Sequence, residues 1–166
     1  MSVQIPERAS AVVIGGGVIG SSVTYHLAKL GWTDVVQLER NQFSCGTTWH
    51  AAGLVGTMRA NESQARLCEY SMAVLTELEA ETGQSTGFKP VGFVELAADE
   101  GRLEEYRRTA AFNRYCGVDV HEISPSEVAD LFPLARTDDL LAGFYVEGDG
   151  RVNPVAGTCV EIPDFL

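Results

Sequence analysis

The chain has 166 residues, 45% of them hydrophobic, and a formal net charge of −11. That length suits one ordinary domain of roughly 100–200 residues, and the composition excludes a disordered chain. The acidic balance excludes nucleic acid and anionic lipid as natural partners, and no apolar run reaches the ~18 residues of a membrane helix.

Residues 1–8 lack the basic-then-apolar order of a signal peptide and the Arg-rich, acid-free character of a transit peptide. The first strand pattern begins almost at once, so no removable leader is expected. Cys45, Cys68, Cys116 and Cys159 show neither C-x-x-C spacing nor a histidine at metal-ligand spacing. Four reduced thiols, no metal site and a soluble intracellular protein are the corresponding expectations.

Ala11-Val12-Val13-Ile14 is a short apolar run, the pattern of a strand buried on both faces in a parallel sheet. It leads into Gly15-x-Gly17-x-x-Gly20 and a helix over 18–30. Val23, Leu27 and Leu30 form that helix's apolar stripe, small Ser21, Ser22 and Ala28 let it lie close to the sheet, and Gly31 stops it. A second strand over 34–39 ends in Glu39, completing a right-handed βαβ unit. Gly15 permits the tight turn, Gly17 lets backbone approach a pyrophosphate, and Gly20 lets helix and strand pack closely. The helix N-terminus aims N–H groups at the phosphates. Glu39 can accept hydrogen bonds from a ribose diol and repels a 2′-phosphate, so FAD or NAD is favoured over NADP.

The next stretch is a loop of small and hydroxyl residues, Gly46-Thr47-Thr48-Trp49-His50-Ala51-Ala52-Gly53-Leu54. It is able to lie flat along a cofactor and donate to phosphate and ring. On chemistry alone His50 is open between a surface histidine and a functional one. A long helix is expected over 59–82, with Leu67, Tyr70, Ser71, Val74, Leu75 and Leu78 as core. A bent strand follows over 88–96. A second helix over 99–115 offers Leu103, Tyr106, Ala110, Phe112 and Tyr115 for burial and ends at Gly117. A strand over 118–123 precedes a short helix with Ser124 as N-cap, Pro125 first and Glu127 closing a capping box, pinned by Val128, Leu131 and Phe132. A strand over 142–146, a turn at 147–150 and a new element from Val152-Asn153-Pro154 complete the pattern, and residues 161–166 show no periodicity.

Residues 11–40 followed by Thr47-Thr48-Trp49-His50-Ala51-Ala52-Gly53 closely resemble the sarcosine and dimethylglycine dehydrogenases, within the FAD-dependent oxidoreductases similar to D-amino-acid oxidase. Glu79-x-Glu81-Thr82-Gly83, Gly87-Phe88, Gly92, the Gly143-x-Tyr145 to Asp149-Gly150 turn and Asn153-Pro154 agree. The resemblance implies a Rossmann-like α/β FAD-binding unit with the beginning of an inserted α+β substrate domain. The implied boundaries are 1–57 for the first part of the FAD-binding domain, 58–147 for part of the substrate domain with its connecting helix, and 148–166 for the start of a return to the FAD domain with a divergent tail. It places Gly15, Gly17, Val18, Ile19 and Gly20 at the pyrophosphate and Glu39 and Arg40 at the adenosine ribose. Gly46, Thr47, Thr48, Trp49, His50, Ala51, Ala52, Gly53 and Leu54 lie along pyrophosphate and flavin, with His50 bonded covalently to the 8α-methyl group.

The implied reaction is oxidation of an N-methyl amine such as sarcosine or dimethylglycine. Hydride passes to flavin N5, and the iminium left behind is hydrolysed to formaldehyde or trapped by tetrahydrofolate; electron-transferring flavoprotein is the implied acceptor in mitochondrial members. The resemblance assigns no residue to the substrate carboxylate. Relative to that family the chain is expected to be incomplete, to fold poorly in isolation and not to catalyse. Animal relatives work in the mitochondrial matrix and bacterial ones in the cytoplasm. Two alternatives remain: a non-catalytic regulatory protein on the same scaffold, like the regulatory subunit of pyruvate dehydrogenase phosphatase, which lacks the Thr-Trp-His segment, and a simple NAD-binding module, against which the loop after Glu39 argues.

Overall fold

The computed structural model describes residues 6–160; the expectations for the extreme N-terminus and for the tail 161–166 lie outside them. The chain divides into two compact units. One comprises the chain up to Leu54, Val74–Phe88 and the stretch from Val152 onward; the other comprises Val55–Ala73 and Lys89–Arg151. The four cysteines are free thiols, as expected.

The first unit begins with β1 (Ala11–Ile14), α1 (Val18–Lys29) and β2 (Val35–Leu38). The two strands pair in parallel, with Ala11 opposite Val35 and Ile14 opposite Leu38. β1 is not buried on both faces as its unbroken apolar run suggested. Val12 is 53% and Ile14 86% exposed, because α1 covers one face of the pair and alternate residues point to the other. The stripe expected on α1 is corrected as well: Val23 and Leu30 are exposed, and Ser21 and Thr24 are the buried residues. Small side chains face the sheet because Gly20 brings the helix too close for larger ones; a Cβ on Gly20 would sit 2.0 Å from the Gly15 carbonyl oxygen.

After β2 come a single 3-10 turn (Thr48–His50), β3 (Leu54–Val55) and α2 (Glu62–Thr82). Helix α2 begins three residues later than expected, at the cap of Asn61, whose Oδ1 accepts from Gln64 N–H at 2.9 Å. Leu67, Tyr70 and Ser71 are exposed rather than core; Ala65 is buried instead. In the C-terminal part of α2, Val74 and Leu78 pack with Val160 of α5 (Pro154–Val160) and with Tyr25 of α1 to form the first unit's core. The glycine at position 53 is required here. Its φ is +72°, a Cβ on it would lie 2.3 Å from Val152 O, and Gly53 O accepts from Val152 N–H at 2.8 Å.

The second unit is an antiparallel sheet in the order β4 (Phe93–Ala97), β6 (Ala142–Val146), β5 (His121–Ile123). Phe93 faces Val146 and His121 faces Tyr145. β7 (Gly150–Arg151) follows β6, and Lys89 bridges Arg151. Helix α3 (Glu100–Cys116) packs on this sheet, capped by Asp99, whose carboxylate accepts from Arg102 N–H at 2.8 Å, and closed by left-handed Gly117. The core centres on Phe144, with Leu103, Ala110, Val118, Val120 and Met58, and Tyr106 meets Phe144 edge-on at 5.6 Å. Tyr115 is 88% exposed, while Asn113 takes the buried position that helical spacing offered to an apolar residue. α4 (Pro125–Leu131) carries the expected capping box, with Ser124 and Glu127 bonded reciprocally. Of its three proposed anchors only Val128 is buried; Leu131 and Phe132 are half exposed.

Candidate functional site

The glycine turn of the first unit leaves β1 at Ile14 and enters α1 at Val18. Gly15 has φ +118°, a left-handed geometry suited to glycine, and the space on its Cβ side is open. The turn is held from β2: Gly15 N–H donates to Leu38 O at 2.8 Å, and Gln37 Nε2 donates to Gly15 O at 2.9 Å. Gln37 is the one polar residue in the Val-Val-Gln-Leu strand, an irregularity that could have flagged it from sequence.

Glu39 is drawn back against the same turn. Its Oε2 accepts from Gly16 N–H at 2.8 Å and its Oε1 from Asn41 N–H at 2.9 Å. The backbone N–H of Asn41 first, then that of Gly16, hold its carboxyl below the usual carboxylate range, so it stays ionised. Each oxygen retains a lone pair to accept from another donor. Arg40 is exposed, and its positive charge adds a smaller lowering to the neighbouring Glu39 carboxyl.

The small-residue loop is stitched to this turn at two points. Ser44 N–H donates to Gly16 O at 2.8 Å, with Ser44 itself in the left-handed region at φ +63°. Thr48 Oγ1 accepts from Val18 N–H at 2.9 Å. Gly17 at the cap offers α1 no side chain, so a loop residue thirty positions away satisfies one of the helix's orphan N–H groups. Thr48 is therefore buried with its hydroxyl on α1, and Phe43 fills the space where a Cβ on Gly16 would stand. Thr47, Trp49, His50, Ala51, Ala52 and Leu54 are exposed, and Gly46 has open space on its Cβ side.

His50 Nδ1 lies 3.0 Å from Gly46 O. A carbonyl only accepts, so Nδ1 carries the proton of that bond, and in the neutral ring Nε2 holds a free lone pair. The Trp49 ring lies against the imidazole, centroids 4.0 Å apart.

These residues fit a bound dinucleotide. The open Cβ sides of Gly15 and Gly46 leave room for a ligand at the backbone, and an ionised carboxylate stands at the end of β2. Ile14, Val18, Ile19 and Trp49 form an exposed apolar rim around the helix N-terminus. Buried Ser21 Oγ, Gln37 Oε1 and Ser44 Oγ have no protein partner among the described residues, a concentration of unmatched polar atoms at one turn.

The second unit contributes a cavity of about 390 Å³, whose lining includes Thr57, Met72, Glu69, Asp119 and Asp149 and none of the glycine-turn residues. Asp149 is buried; its Oδ2 accepts from Thr57 N–H at 2.9 Å and its Oδ1 from Thr57 Oγ1 at 2.8 Å. Burial pushes its carboxyl above the ordinary aspartate value despite these bonds.

Residues 10–159 match the family described as FAD dependent oxidoreductase. The chain is 42% identical over 159 residues to the mitochondrial sarcosine dehydrogenase of Homo sapiens, covering 95% of this chain and 17% of that protein. It is 38% identical over 152 residues to the mitochondrial dimethylglycine dehydrogenase of Rattus norvegicus, covering 92% and 18%. It is also 37% identical over 152 residues to the mitochondrial pyruvate dehydrogenase phosphatase regulatory subunit of Mus musculus, covering 92% and 17%. Among solved structures it is similar to the L-proline dehydrogenase of P. horikoshii, with a TM-score of 0.88 and 26% identity over 95% of this chain and 41% of that one. The chain thus spans about a sixth of the length of these curated relatives.

Proposed function

Because the chain belongs to the FAD-dependent oxidoreductase family, we propose that it is the cofactor-holding part of a dehydrogenase for N-methyl amines such as sarcosine or dimethylglycine. The first unit is the FAD-binding part and the second is part of the substrate domain. Bound flavin supplies a two-electron sink for the hydride that leaves the N-methyl carbon. The chain's own residues do the holding. The N-terminus of α1 with Gly15, Gly17, Val18, Ile19 and Gly20 takes the pyrophosphate, Glu39 with Arg40 takes the adenosine ribose, and Gly46 to Leu54 lines pyrophosphate and ring.

His50 is the covalent attachment point, through Nε2. The observation that carries this reading is the bond from Nδ1 to Gly46 O, which leaves Nε2 as the nucleophilic nitrogen on an exposed loop stitched to the glycine turn. Hydrolysis of the oxidised amine to formaldehyde or its capture by tetrahydrofolate, electron transfer to an electron-transferring flavoprotein, and a cytoplasmic or mitochondrial-matrix setting complete the proposal. Among the described residues no helix is long and apolar enough to cross a membrane.

A second reading, a non-catalytic regulatory protein on the same scaffold, is favoured by the similarity to the phosphatase regulatory subunit. Acid denaturation separates the two. Yellow, fluorescent flavin that stays on the wild-type polypeptide and is lost in His50→Ala supports the dehydrogenase. Colourless protein, or release of all flavin by acid, counts against it.

A further inference from the structure

In the first unit the peptide between Gly15 and Gly16 is gripped at both ends from β2 and the residue just beyond it. Its carbonyl, Gly15 O, accepts from Gln37 Nε2 at 2.9 Å. Its N–H, on Gly16, donates to Glu39 Oε2 at 2.8 Å. A trans peptide is planar and points its C=O and N–H in opposite directions, so the two bonds together fix the orientation of the plane. Local sterics do little to fix it. Neither flanking residue has a Cβ, and Gly15 already sits at φ +118°. A rotated plane would turn Gly15 O toward the Glu39 carboxylate, acceptor against acceptor.

Gln37 is a costly residue at its position. Its strand neighbours are Val35, Val36 and Leu38, and it stands opposite Val13 of β1. It is half-buried, and its Oε1 is buried with no partner among the described residues, a penalty that an apolar side chain would not incur. Only the amide orientation with Nε2 toward Gly15 makes a bond, because a carbonyl accepts and does not donate. The packing around that bond is close: a Cβ on Gly20 would stand 3.3 Å from Nε2 and 2.0 Å from Gly15 O.

The other end of the clamp acts on Glu39. Oε1 is held by Asn41 N–H at 2.9 Å, and Gly16 N–H holds Oε2. The N–H of Asn41 first and that of Gly16 second lower the carboxyl; its burial raises it, and Arg40 lowers it through backbone N–H and charge.

We infer that Gln37 is a positioning residue: by holding the Gly15–Gly16 peptide it aims the Gly16 N–H at Glu39 and presets that carboxylate for the ribose diol of the dinucleotide. The inference rests on reading the turn as a dinucleotide site. A carboxylate already fixed in place spends less of its binding free energy on ordering.

Nuclear magnetic resonance on the ligand-free chain tests the clamp. In the wild type the Gly16 amide proton is expected to follow the titration of the Glu39 carboxyl carbon with the same midpoint. In Gln37→Met, which has a similar volume and no donor, that midpoint rises toward the ordinary glutamate value and the Gly16 response disappears. Val36→Ala, which weakens the same strand without removing the donor, leaves both in place. ADP, which carries the adenosine ribose and two phosphates, is the probe for affinity. Gln37→Met is expected to weaken ADP binding about three- to tenfold, the worth of one hydrogen bond. In a Glu39→Gln background the same change costs about twofold or less, because Gln37 acts through Glu39. A Gly16 amide that ignores Glu39 in the wild type overturns the assignment with no variant needed. So does a Glu39 midpoint unmoved in Gln37→Met, or an equal loss of ADP affinity in both backgrounds. A chain that titrates as expected and binds no ADP overturns the ribose role and with it the dinucleotide reading, so the two failures are told apart.

Discussion

Thr48 Oγ1 accepts the backbone N–H of Val18 at 2.9 Å, so the residue that caps the dinucleotide-turn helix comes from the loop that carries His50. One hydrogen bond thus couples the placement of the glycine turn to the placement of the histidine. Thr48→Ala is expected to cost about 1 kcal/mol, the usual worth of a helix N-cap, and Thr48→Ser to cost less because it keeps the oxygen. Urea unfolding measures the loss. If the coupling matters for function, Thr48→Ala also lowers the fraction of chain that retains flavin after acid denaturation.

Gly20 and Gly15 make different demands, and their alanine variants should separate. At Gly20 an added Cβ would meet Gly15 O at 2.0 Å, so Gly20→Ala must push α1 off the turn. A destabilisation of about 1–3 kcal/mol is expected from overpacking, together with loss of bound flavin. At Gly15 the space is open but φ is +118°, so Gly15→Ala strains the backbone without a clash. Denaturant midpoints and flavin content of the two variants check both expectations.

Asp149 should make stability fall with rising pH. Its folded pKa is raised above the ordinary aspartate value, chiefly by burial. The folded state therefore holds this proton more tightly than the unfolded state. The contribution is complete below the unfolded value and is lost as pH rises through the folded one. Asp149→Asn removes that dependence. Asp149→Ala leaves the buried N–H of Thr57 unmatched and is expected to cost about 1–3 kcal/mol at any pH. Urea unfolding across the acidic range in the three proteins reads out the sign.

Glu39 acts in the opposite sense. The N–H groups of Asn41 and Gly16 lower its folded pKa, so its contribution is present above the unfolded value and disappears as pH falls through the lowered one. Glu39→Gln should flatten the acid limb of the stability profile. It should also weaken flavin retention, because a neutral amide accepts less strongly from Gly16 and from a ribose hydroxyl. Equal acid limbs in wild type and variant would show that this carboxylate contributes nothing to the turn.

By itself the sequence determined whatever depends on neighbours a few residues apart. Gly15-x-Gly17-x-x-Gly20 between an apolar run and a helix specified the βαβ unit, Ser124-Pro125-x-Glu127 specified the start of α4, and Gly117 specified the end of α3. In each case the signal and its physical cause lie within one or two turns of backbone. Tertiary structure alone decided which faces are covered and which distant groups meet. Val23 and Leu30 had the spacing of a core stripe, yet Ser21 and Thr24 are buried, because the close approach at Gly20 admits only small side chains. Asn113 occupies a core position of α3 because the backbone of Arg59, fifty-four residues away, supplies its partners. The Trp-His segment is a candidate cofactor loop only through its resemblance to a family, and the bond of His50 Nδ1 to Gly46 O lies within that loop, but the capping of α1 by Thr48 joins groups thirty residues apart that no local pattern connects.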